Sequence, residues 1–99
     1  MGFMSETVEP TTSSAVAQIL HRAGIATVPS RTREGIYVSS GNPNRRDRVT
    51  INVQIDTDQM LANATAESIR VALGQARLAF EHEQDELGCH SFRVLGRTI

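Results

Sequence analysis

From Val49 to Asp56 the chain alternates without a break, Val49, Ile51, Val53 and Ile55 against Thr50, Asn52, Gln54 and Asp56. A period of two places one set on each side of an extended strand. A strand that is apolar on one side only belongs to an antiparallel sheet whose second side faces away from the core. The covering layer then has to come from helices elsewhere in the chain.

Two segments have the spacing to supply it. Val16, Ile19, Leu20 and Ala23 recur at helical intervals after Ser13 and Ser14, either of which can cap the first turn, and Gly24 follows as a stop. A longer pattern, Ile69, Ala72, Leu73, Ala76, Ala79 and Phe80, predicts a helix over 62–87. It starts from Asn63 or Thr65, or a turn earlier near Asp58, and Gly88 closes it. Short strands are expected at 25–28, ended by Pro29, at 36–39, and at 91–95. Residues 40–47, with Gly41, Pro43, Asn42 and Asn44, have loop composition. The expectation is therefore an α+β fold: a small antiparallel sheet of three to four strands with two helices packed on one face, in the order α-β-β-β-α-β. Residues 1–12 read as a flexible N-terminal tail and 13–99 as a single domain.

Composition narrows the function classes. Net charge is −1, with 10 cations, all arginine, and 11 acids. Six arginines fall between Arg22 and Arg48, against only Glu34 and Asp47. The acids crowd instead at Glu81, Glu83, Asp85 and Glu86. A coat protein for nucleic acid would be basic throughout. The absence of lysine points to a high-GC genome and to a bacterial or phage origin. One cysteine rules out an internal disulfide and fits a reducing cytoplasm. No stretch has the length and apolarity of a membrane span, and the N-terminal residues lack a secretory signal.

Guanidinium groups suit planar contact with carboxylate or phosphate. Arg45, Arg46 and Arg48 stand at the tip and exit of the expected loop, with Arg31 and Arg33 near the preceding turn. On a 62–87 helix, Glu81 and Asp85 would lie at the negative end of the macrodipole and gain from nearby cations. Val71 and Leu78, one heptad apart, would form a second apolar stripe suited to an oligomer interface. On the outer side of the sheet, Tyr37, Thr50, Asn52 and Gln54 would join Arg93 as a polar face of the kind that holds single strands.

His82, Cys89 and His90 are close in sequence but lack convergent ligand spacing, and no base is identifiable for a Cys89 nucleophile. Neither a P-loop nor a dinucleotide fingerprint is present. No catalytic residue, metal or cofactor is expected. The sequence thus suggests a non-enzymatic protein-interaction or accessory module. It would associate with itself or with another protein through Arg45, Arg46, Arg48, Val71, Leu78, Glu81 and Asp85. Nucleic-acid binding through Arg31, Arg33, Tyr37, Thr50, Asn52 and Gln54 is the second choice, and no membrane partner is expected.

Overall fold

A computed structural model describes residues 8–9, 11–29, 34–40, 49–55 and 57–98. Its elements run β1 (Val8–Glu9), α1 (Ser13–Arg22), β2 (Gly35–Ser39), β3 (Val49–Gln54), α2 (Gln59–Gln75), β4 (Leu78–Gln84) and β5 (His90–Thr98). All strand pairs are antiparallel, and the class is the expected α+β. β5 is the hub: it pairs with β3, β4 and β1, while β2 joins through β3. Because β4 runs along one edge of β5 from Gln84↔His90 to Leu78↔Arg97, β1 must share the other edge with β3, lying beyond its end. Thus Val8 and Glu9, placed by the sequence reading in the tail, form a strand.

The alternation in β3 is realised residue by residue: Val49, Ile51 and Val53 are buried, and Thr50, Asn52 and Gln54 are partly exposed. Cross-strand register carries the same facing to the neighbours, so Ile36, Val38, Phe92 and Val94 share the inner face. Both helices cover that face. Val16 and Leu20 of α1 and Ala62, Ala66, Ile69, Ala72 and Leu73 of α2 complete the core. Small residues at positions 62, 66 and 72 allow the α2 backbone a close approach to its neighbours.

Caps set the helix starts. Thr12, rather than Ser13 or Ser14, accepts the Ala15 N–H through its hydroxyl at 3.2 Å. Asp58 accepts the Leu61 N–H at 3.0 Å, which selects the earlier of the expected starts for α2. Asp58→Ala is therefore expected to cost about 1 kcal/mol of stability, measurable by urea denaturation; an unchanged midpoint would show that the cap contributes nothing.

Two expectations are corrected. Residues 25–28 are not a strand, although the Val28 N–H donates to the Ile36 carbonyl at 2.8 Å beside β2. The helix over 62–87 stops at Gln75, and 78–84 is strand β4. The break is at Arg77, a non-glycine residue at φ 60°. Left-handed backbone costs an ordinary residue about 1–2 kcal/mol. Here the Arg77 carbonyl accepts two hydrogen bonds from Thr98, one from its N–H and one from its hydroxyl, both 2.8 Å. A contact 21 residues away thus holds the turn.

Candidate functional site

Register defines the outer face of the sheet as a grid. Tyr37, Asn52, Ser91 and Glu83 form one row across four strands, and Ser39, Thr50, Arg93 and Glu81 form the next. Gln54 stands beside Gly35 at the end of β3. The structure therefore brings together Tyr37, Thr50, Asn52 and Gln54, with Arg93 among them, as the alternation implied. What the sequence did not show is that Glu81 and Glu83 belong to the same face.

Those two carboxylates come from β4, which among the described residues pairs only with β5. Glu81 and Glu83 are exposed, and Glu81 accepts a charge-assisted hydrogen bond from the Arg93 guanidinium at 3.4 Å. Glu83 makes no ion pair with a described residue. The macrodipole argument for these acids lapses, because they lie on a strand and a hairpin instead of a helix end. Asp85 has a structural duty: its Oδ1 accepts the N–H groups of Leu87 and Cys89, both at 2.9 Å, and closes the β4–β5 turn. Next to it is a concavity of about 310 Å³ bordered by Asn52, Gln54, Glu83, Asp85, Cys89 and Ser91. It is open and carries carboxylate, amide and hydroxyl groups that suit a cationic or hydrogen-bonding guest.

The proposed apolar stripe is not formed. Val71 is half-exposed on α2, but Leu78 is in β4 and only 6% exposed. The larger exposed apolar side chains are Met60, Leu61 and Leu87, at the start of α2 and in the hairpin turn. Arg31, Arg33, Arg45, Arg46 and Arg48 lie outside the described residues.

A second constellation sits on the inner side of the hairpin. The His82 Nε2 and His90 Nδ1 atoms are 2.8 Å apart, and His90 Nε2 is 2.9 Å from Asn63 Oδ1. Gln59 donates through Nε2 to the same Asn63 oxygen at 2.9 Å and to the Gly88 carbonyl at 3.1 Å. The His82 ring lies against Phe92, with centroids 4.3 Å apart and planes 7° from parallel. Partial burial holds the His82 pKa below its ordinary value; the His90 and Arg70 charges act in the same direction, and Glu67 opposes them. Both His90 nitrogens are engaged, so it has none left to serve Cys89 as a base. Among the described residues no group of three or more His, Cys, Asp or Glu is placed to hold a metal ion.

His82 and His90 were noticed in the sequence, but their meeting was not foreseen. The signal was the alternation Leu78, Phe80, His82, Gln84 against Ala79, Glu81, Glu83, which is legible only once 78–84 is read as a strand.

No helix of the described residues is long and apolar enough to cross a membrane. No protein-family model matches the chain, and neither the curated proteins nor the solved structures contain a significant match to it.

Proposed function

We propose that the chain is a non-enzymatic protein-interaction module that self-associates through arginine–carboxylate contacts. The observation that carries this reading is the placement of Glu81 and Glu83 on an exposed outer strand, with Glu81 already taking one guanidinium and Glu83 taking none from the described residues. The complementary charge is in the sequence itself, in the arginines of positions 31–48. A bacterial or phage origin and a cytoplasmic setting belong to the same proposal and rest on the missing lysines and the single cysteine. The helix seam formed from Val71 and Leu78 drops out, since buried Leu78 has no surface to offer.

An exposed ion pair contributes about 0.2–1 kcal/mol, and a twofold interface contains each pair twice. Glu81→Gln combined with Glu83→Gln should therefore weaken association by roughly tenfold or more. Arg45→Ala with Arg46→Ala should do the same, and added salt should imitate both. Light scattering across protein concentration and ionic strength reads all three. A strict monomer at high concentration and low salt would end the proposal.

The shared outer face of Tyr37, Thr50, Asn52, Gln54 and Arg93 supports a second reading, binding of single-stranded nucleic acid. Glu81 and Glu83 on that face oppose it by repelling phosphate. Retention of a labelled oligonucleotide at low salt, with affinity falling steeply as salt rises, would favour this second reading over the first.

A further inference from the structure

The hydrogen bonds around His90 can run in only one direction. Gln59 Nε2 must donate to the Gly88 carbonyl, and its second hydrogen points to Asn63 Oδ1. That oxygen is an acceptor, so His90 Nε2 carries the proton of the 2.9 Å bond between them. A neutral His90 then has a bare Nδ1, and it accepts from His82 Nε2–H at 2.8 Å. Two side chains of α2 thereby fix the tautomers of both imidazoles.

This polarity limits how many protons the pair can hold. A first added proton enters at His82 Nδ1, leaves His82 Nε2–H in place, and makes the bond to His90 charge-assisted. A second has only His90 Nδ1 to occupy. There it turns the bond into two opposed N–H groups, with two cations whose ring centroids are 5.0 Å apart. His90 is 7% exposed and cannot turn its ring toward water without leaving Asn63.

We propose that His82 and His90 form a one-proton clasp across the β4–β5 hairpin, closed when the pair holds no more than one added proton and opened by a second. The charged groups acting on His82 are Glu67 and Arg70 of α2 and His90 of β5, while β3 presents only Val53 opposite His90. On the hairpin itself the titratable neighbours are Glu81, Glu83, Asp85, Glu86 and Cys89, of which Asp85 closes the turn through its carboxylate. Because burial and the His90 and Arg70 charges hold the His82 pKa down in the fold, the first proton already lowers stability as pH falls through the ordinary imidazole range, and this loss precedes the opening by the second.

The test is made on the full chain by nitrogen-15 NMR of the imidazoles, together with hydrogen exchange of the hairpin amides, corrected for intrinsic rates. At pH 7.5 His90 should show protonated Nε2 and bare Nδ1. Between pH 7 and 4.5 the protection of the Asp85, Gly88 and Cys89 amides should fall by roughly tenfold. His82→Phe keeps a ring against Phe92 but removes the nitrogen, and should flatten that decline. An Nδ1-protonated neutral His90 in the wild type, or pH profiles that coincide for wild type and His82→Phe, would overturn the clasp.

Discussion

Phe92→Ala is expected to lower the unfolding free energy by about 3–5 kcal/mol, the cost of emptying a large buried aromatic site. Phe92 is fully buried in β5, opposite Ile51 of β3. On one side its ring meets Phe80, centroids 5.8 Å apart and tilted by 58°, and on the other it lies flat against His82. Truncation therefore leaves a cavity and also removes the surface that orients the His82 imidazole. Against a typical total of about 5–15 kcal/mol, such a loss takes away a large share of the stability. Phe92→Leu, which keeps apolar volume and gives up only the ring contacts, should cost nearer 1 kcal/mol. Urea denaturation of the two variants separates cavity from ring geometry. Similar losses for both would mean that stacking, not volume, is what Phe92 contributes.

The second large effect is expected at Gly35. Its backbone lies at φ +136°, where side chains other than hydrogen are strained, and a Cβ there would stand 2.8 Å from Val28 Cγ1. Gly35→Ala should cost about 1–3 kcal/mol from backbone strain alone, with the collision added. Relief of the collision would push Val28 outward and disturb its N–H bond to Ile36, the link between residues 25–28 and β2. Adding Val28→Ala to Gly35→Ala should recover the steric part and none of the strain. A thermal midpoint equal to wild type for Gly35→Ala would show that β2 can start in another conformation.

How far the sequence could be read depended on whether the decisive interactions were local. The β3 alternation was legible because burial on one side alone sets it, and Thr50, Asn52 and Gln54 follow from it, as Tyr37 follows from Ile36 and Val38 in β2. Both helix starts were legible to within a residue or a turn because caps are local. The end of α2 was not. Nothing between Gln75 and Leu87 is a glycine, proline or asparagine, and Ala76, Ala79 and Phe80 happen to continue the helical spacing. The stop comes from Thr98 holding the Arg77 carbonyl, an interaction with no signature near Arg77. One misplaced boundary then carried Leu78, Glu81, Asp85 and His82 to the wrong element. The pairing of His82 with His90, and of Glu81 with Arg93, became visible only when β4 faced β5. Among the described residues β4 pairs only with β5, and the exposed acids Glu81 and Glu83 suit such an edge, since charge resists pairing with stray strands.

The position of β5 has a consequence for biosynthesis. β2 and β3 can form a hairpin as soon as both have been made, but β1, β3 and β4 all reach the rest of the sheet through residues 90–98. Until that segment leaves the ribosome, the nascent chain holds two amphipathic helices and a lone hairpin, with the apolar side of β3 lacking its neighbour. Val8 and Glu9 wait longest, since their partners Thr98 and Arg97 are made about ninety residues later. Val8 and Glu9 are thus made before every other strand of the described sheet and are the last to find their place in it.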